Sequence, residues 1–369
     1  MSVAWVILGW ILAILFSLFT ISMLLLHNWA QAIVAFLLVL LCFPPVTSFL
    51  QNRFDFSIHP LLRGVLIVGL LAVFAWLMAG RQATSIYASP EVKARFMAIY
   101  DEKMKAWPLP YEDVFLDTEY GIVHVIVSGP EEAPPLLLLH ASGVSGWSWK
   151  YNAAGLSQDY RTYAIDLIGD AGKSEYNSLE QIMKNGRDQA RLYTEITDKL
   201  GVDKAFVAGA SEGGFIGSNY ALYAPERVEK LVLLGPMGYA GATQSIVRIM
   251  FAQFFPLKPI QESTFRWAFS DNDVLEEDLG EWFRLLMSKS TPKKVAPLPL
   301  PAEERQRIQV PALFVFGEKD NLVGSPQAAS DLVQDMPDVQ VKIVEAGHLM
   351  AAELPEQVNE IMLEFFEGE

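Results

Sequence analysis

The sequence predicts an α/β domain in which helices cover both faces of a mostly parallel sheet, with a helical lid insertion, preceded by about three transmembrane helices. Three observations predict it. No Asp, Glu, Lys or Arg occurs before Arg53. From residue 114 onward, short and continuously apolar runs alternate with helical stretches, as in strands buried on both faces. One long segment, residues 237–301, interrupts that alternation and exceeds an ordinary crossover.

Residues 1–80 form the predicted transmembrane region. Residues 3–26, 29–50 and 64–80 are long apolar runs, separated by His27-Asn28 and by a stretch holding Arg53, Asp55 and Arg63. At 1.5 Å per residue the first is long enough to cross a hydrocarbon core. Pro44-Pro45 interrupts the second. The first run has no basic residue ahead of it and further runs follow, so a retained anchor is expected and not a cleaved signal peptide. Arg53 and Arg63 on one side stand against Arg81, Lys93 and Arg95 on the other, a count that leans toward a multi-pass protein with a cytoplasmic catalytic domain.

Residues 81–110 connect the two regions. Ser89-Pro90-Glu91 reads as an N-cap, a first-turn proline and a first-turn acid. Val92, Phe96, Ile99, Tyr100 and Met104 follow at helical spacing, so an amphipathic helix is expected over about 90–107, its stripe packed on the next domain or laid on a bilayer. Residues 111–369 then open with a hairpin, 114–117 and 122–127 around Glu119-Tyr120-Gly121. Strands are expected at 136–139, 163–167, 205–208, 231–234, 312–316 and 339–344, and helices at 179–200, 214–224 and 326–335. The insertion at 237–301 carries Phe251, Phe254, Phe255, Phe265, Trp267, Phe269, Trp282 and Phe283. These aromatics suit a helical subdomain with its own core, an apolar lining over a site, or both.

Composition removes several classes of function. With 51% hydrophobic and 19% charged residues the chain is not disordered. Residues 81–369 hold 26 basic and 42 acidic side chains, a balance of −16 that repels nucleic acid. The single cysteine, Cys42, allows neither an intrachain disulfide nor a thiolate zinc cluster. Gly172-Lys173-Ser174 ends like a phosphate-binding loop, but residue 167, where that loop needs glycine, is leucine.

The chemistry centres on Gly209-Ala210-Ser211-Glu212-Gly213, a G-x-S-x-G between a strand and a helix. Such a sharp turn exposes the serine at the sheet edge, and close backbone approach calls for the flanking glycines. A serine hydroxyl is a weak nucleophile and needs a base. Of the five histidines, His27 and His59 lie in the N-terminal region, His124 lies within the hairpin and His140 precedes the elbow. His348, in a loop after a late strand, is the candidate base. Asp320, directly after the 312–316 strand, is the candidate acid, with Glu318 as the second choice.

Residues 111–369 resemble the α/β-hydrolase superfamily. The serine elbow, the loop Leu138-Leu139-His140-Ala141-Ser142-Gly143, the segment Asp166-Leu167-Ile168-Gly169, and the loops holding Asp320 and His348 occur in that family's order. The resemblance implies a Ser211, Asp320, His348 triad and an oxyanion hole made by the backbone N–H groups of Ser142 and Glu212, with no metal or cofactor. Two positions depart from the pattern. Ala141 replaces the usual glycine, and the carboxylate of Glu212 would oppose an oxyanion unless it points away or pairs with a lid group. The expected function is a membrane-anchored serine hydrolase that cleaves a carboxylic ester, apolar or lipid-derived, through an acyl-enzyme on Ser211, with membrane lipids as further partners. The alternatives are a non-catalytic lipid- or partner-binding protein of this fold and an acyltransferase.

Overall fold

The computed structural model describes residues 3–25, 29–43, 46, 49, 52–53, 58–79, 85–178, 180–239, 248–249, 251–253, 257–269 and 273–368. Pro44, Pro45, Gly80, Arg81, Leu179, Phe254 and Phe255, weighed above, lie outside the described residues. Two units are distinguished, one of residues 1–82 and 250–260, the other of residues 83–249 and 261–369.

In the first unit the helix Val3–Leu25 packs on Trp29–Cys42, which packs on Pro60–Ala79. Ala32, Ala35, Leu38 and Cys42, at helical spacing, are the buried seam of the middle helix. Arg63 Nε donates to the Leu41 carbonyl at 2.7 Å. The expected transmembrane spans are overturned here: among the described residues no helix is long and apolar enough to cross a membrane. A span needs about 20 consecutive apolar residues. Trp29–Cys42 has 14 residues. The expectations of a multi-pass location, of membrane anchoring and of membrane lipids as partners lose their support with the spans.

Among the described residues of the second unit the strands are β1 (Tyr111–Asp117), β2 (Gly121–Ser128), β3 (Pro135–Leu139), β4 (Arg161–Ile165), β5 (Glu175–Tyr176), β6 (Ala205–Ala210), β7 (Val228–Leu234), β8 (Ala312–Gly317) and β9 (Val339–Val344). They form a mixed sheet in the order β1-β2-β4-β3-β6-β7-β8-β9, with β5 paired to β2. Pairing is antiparallel among β1, β2, β4 and β5 and parallel from β4 through β9. The central strands bury both faces because side chains alternate: Leu136 and Leu138 enter one core, Leu137 and Leu139 the other. Pro90–Met104, Lys150–Leu156 and Pro355–Glu367 contribute to the first core, and Gly186–Lys199, Glu212–Tyr223 and Pro326–Val333 to the second. β9 departs from the reading of strands buried on both faces, since it is an edge strand, with Gln340 and Ile343 exposed.

The helix Pro90–Met104 belongs to this unit. Ser89 caps it by accepting from the Val92 N–H, and Phe96, Ile99, Tyr100 and Met104 are buried at i, i+3, i+4 and i+8. Its stripe meets the insertion, whose described helices are Lys258–Ala268 and Asp273–Lys289. Phe96 lies edge-on to Trp282 with ring centroids 4.8 Å apart, and Trp147 does so at 5.5 Å. Phe265, Phe269 and Phe283 form a second edge-to-face group. The insertion aromatics are therefore chiefly core. Trp282 is 1% exposed, and its Nε1 donates to the Gly143 carbonyl at 2.9 Å. Trp282→Ala is expected to destabilise the protein by about 3–5 kcal/mol, since the large void cannot close fully; urea unfolding followed by circular dichroism measures it, and a loss below about 1 kcal/mol would refute this account of the packing.

Candidate active site

Local backbone geometry sets the serine. β6 ends at Ala210 and the next helix starts at Glu212, so Ser211 alone makes the corner, at φ 51° and ψ −109°. It is the only non-glycine with positive φ among the described residues. Such strain costs about 1–3 kcal/mol and persists only where the surroundings enforce it. Here they do: Ser211 N–H donates to Leu234 O at 2.9 Å, and Met237 N–H donates to Ser211 O at 3.0 Å. A Cβ on Gly209 would lie 2.3 Å from Gly213 O, and one on Gly213 would lie 2.2 Å from Leu139 O. Both elbow glycines are thus required by backbone contact.

Asp320 and His348 meet beyond the ends of β8 and β9. His348 Nδ1 lies 2.8 Å from Asp320 Oδ2, and both residues are buried. The other oxygen, Oδ1, accepts the N–H groups of Leu322 at 2.8 Å and Val323 at 3.0 Å, which fixes the carboxylate. Glu353 holds the histidine loop by accepting the N–H groups of Gly347 and Leu349. Burial works against a charged His348, yet the Asp320 charge and hydrogen bond, with Glu353 behind them, outweigh it and raise the pKa above the ordinary 6.5. Gly235, just past β7, runs beside this pair: a Cβ there would sit 3.1 Å from Asp320 Oδ2 and 3.5 Å from His348 Nδ1. Glu318, the second choice of acid, is exposed.

Ser142 and Glu212 lie on the loop after β3 and at the first position of the helix after the elbow. Among the described residues neither backbone N–H is engaged in a hydrogen bond. His140 braces the loop, its Nε2 accepting the Leu167 N–H at 2.9 Å and its Nδ1 lying 2.8 Å from Ala141 O. Asp170 braces it from the other side, accepting the Gly143 N–H at 2.8 Å. The segment that imitates a phosphate-binding loop is therefore a structural support. Asp166 likewise is buried, taking the N–H groups of Gly146 and Lys173 and pairing with His124 Nδ1 at 3.0 Å.

One residue of the site was not legible in the sequence. Lys294, in the extended stretch after the insertion helices, reaches Ser142 Oγ and the Glu212 carboxylate, and lies 3.0 Å from Asp170 Oδ2. The only signal was two acids near the elbow facing a segment with Lys293-Lys294 in it. Burial pushes the Glu212 carboxyl up and Lys294 pulls it back, while Asp170 adds to the rise; the net direction is upward. For Lys294, burial is outweighed by Asp170 and Glu212, which hold the ammonium well above the usual lysine range.

Beside these groups is a cavity of about 30 Å³, lined by His348 and Ala210 and by apolar side chains that include Val144, Leu234, Leu279 and Met350. Leu279 is the contribution of the insertion, so the expected apolar lining over the site holds for this one residue of its helix.

The chain is similar to known proteins. The profile of a family described as "Alpha/beta hydrolase family" matches residues 136–361. The carboxylesterase YbfK of Bacillus subtilis is 33% identical over 290 residues, covering 76% of this chain and 97% of that protein. The crystal structure of that enzyme, also called CesB, superposes with a TM-score of 0.70 over 76% of this chain and 99% of its own, at 32% identity. The naproxen esterase of the same organism superposes with a TM-score of 0.71 over 76% of this chain and 99% of its own, at 29% identity.

Proposed function

The chain belongs to the alpha/beta hydrolase family, as a serine hydrolase acting on carboxylic esters, and from that premise we propose that Ser211 is its nucleophile, His348 the general base and Asp320 the group that orients the base. The observations that carry this reading are the strained elbow at Ser211 and the buried Asp320–His348 pair past the ends of β8 and β9. With its Nδ1–H held by Asp320, His348 keeps Nε2 as the proton acceptor. Ser211 Oγ attacks the ester carbonyl as Nε2 takes its proton, and the carbonyl oxygen becomes an oxyanion held by the N–H groups of Ser142 and Glu212. His348 then protonates the departing alcohol, and water releases the acid by the reverse sequence. The apolar cavity supports a short apolar acyl group, and the two Bacillus relatives named as carboxylesterases support an ester as substrate.

The test is the rate at which a fluorophosphonate probe labels the full chain as a function of pH. Attack requires a neutral His348, so labelling is lost as pH falls through a pKa raised above 6.5, and the inflection is expected on the alkaline side of that value. His348→Ala is expected to leave no labelling at any pH. Wild-type labelling with no pH dependence between 5 and about 8, or persistent labelling of the histidine variant, would overturn the assignment.

A further inference from the structure

The ion cluster beside the elbow serves no step of the mechanism above. Glu212 puts a carboxylate, buried with its residue 4% exposed, on the same residue whose N–H is assigned to the oxyanion. A buried negative charge at that place opposes the transition state, because low polarity strengthens the repulsion. Lys294 answers it directly by pairing with that carboxylate, and also binds Ser142 Oγ and Asp170 Oδ2. Asp170 in turn holds the Gly143 N–H. One ammonium thus joins both halves of the expected oxyanion hole, the loop after β3 and the start of the helix after Ser211.

We propose that Lys294 is a positioning residue for ester cleavage: it cancels the charge of Glu212 and clamps Ser142 to it, so that the two backbone N–H groups face an oxyanion with no opposing carboxylate. The proposal rests on the assignment of Ser142 and Glu212 as the oxyanion donors. It explains how an acid can occupy the position after the nucleophile. Lys294 arrives from the far end of the insertion, where Lys293 N–H donates to Gly169 O at 2.8 Å and Leu300 N–H to Gly238 O at 3.2 Å, so the stretch that carries it is anchored on both sides.

The experiment measures kcat and KM for a short-chain p-nitrophenyl ester at alkaline pH, with melting temperatures, for the full-length wild type, Lys294→Met, Glu212→Gln and the double variant. Lys294→Met is expected to lower kcat by about 10²-fold, the scale of losing one oxyanion-hole donor, with KM nearly constant. Adding Glu212→Gln to Lys294→Met is expected to restore at least about tenfold of that loss, because the charge needing cancellation is gone. A lysine that merely packs, or that acts on the substrate by its own charge, gives a double variant no better than Lys294→Met, and that result overturns the proposal. If Lys294→Met does not fold, the double variant decides alone: kcat within about tenfold of wild type supports the proposal and a deeper loss overturns it. Ser211→Ala in the same assay separates the two levels. Should it stay active, the assignment of the nucleophile fails; should it be dead while Lys294→Met is unimpaired, only the role of Lys294 fails.

Discussion

Ser211→Ala is expected to lower kcat for ester hydrolysis by about four to six orders of magnitude, because nucleophile and base act as a unit and the loss of either removes the acyl-enzyme route. The change deletes one oxygen and leaves the backbone corner as it is, with the Ser211 N–H to Leu234 O and Met237 N–H to Ser211 O bonds untouched. An alanine meets the same strain at φ 51° as the serine it replaces. The melting temperature is therefore expected to stay close to that of wild type, and the variant should still bind the ester. Residual turnover above the reaction in water would come from the oxyanion donors and the cavity alone. Stopped assays at high enzyme concentration measure it. Turnover above about 1% of wild type would mean that another group attacks the carbonyl.

The second large effect is expected at the acid. Asp320→Asn should lower kcat by about four orders of magnitude while the fold is kept, and the reason is a matter of which atoms can donate. Oδ1 of Asp320 accepts two backbone N–H groups, those of Leu322 and Val323. An asparagine must keep its carbonyl oxygen there, so its amide turns an N–H₂ toward His348 Nδ1, where the 2.8 Å contact now is. Nδ1 becomes an acceptor, the ring proton moves to Nε2, and the imidazole is left in the tautomer that cannot take a proton from the nucleophile. Activity within tenfold of wild type would exclude Asp320 as the orienting group and return attention to other carboxylates. Ring ¹⁵N chemical shifts of His348 report the tautomer independently of activity.

Much of the site was legible in the sequence because its chemistry is carried by short segments at strand ends. The glycines around Ser211 predict the corner, and the Cβ distances explain why no larger residue fits at Gly209 or Gly213. Asp320 and His348 were legible for the same reason, each lying in the loop that follows a strand. Elements whose limits are set by tertiary hydrogen bonds were read less well. The strand expected at 163–167 is β4, Arg161–Ile165, because beyond it the Leu167 N–H goes to His140 and the Asp166 carboxylate turns inward to His124. The helix expected from residue 179 begins at Gly186, where Asn185 supplies the cap. Lys294 escaped notice because its partners Glu212, Asp170 and Ser142 lie 82, 124 and 152 residues away, and no periodicity links them. The N-terminal spans failed for a different reason: hydropathy and run length measure what a segment would gain from lipid, and among the described residues no helix is long and apolar enough to cross a membrane.

The contact between the helix Pro90–Met104 and the insertion also bears on where the enzyme begins. The half-buried carboxylate of Asp278 receives Lys103 at 2.6 Å from that helix and Lys150 at 2.7 Å, together with the Tyr151 hydroxyl. Tyr151 also lines the cavity. The family match opens at residue 136 and the first strand at Tyr111, yet Lys103, from before either boundary, shares the Asp278 carboxylate with Tyr151. A shortened version of this chain intended to turn over substrate therefore has to keep the helix Pro90–Met104, although the family profile does not reach it.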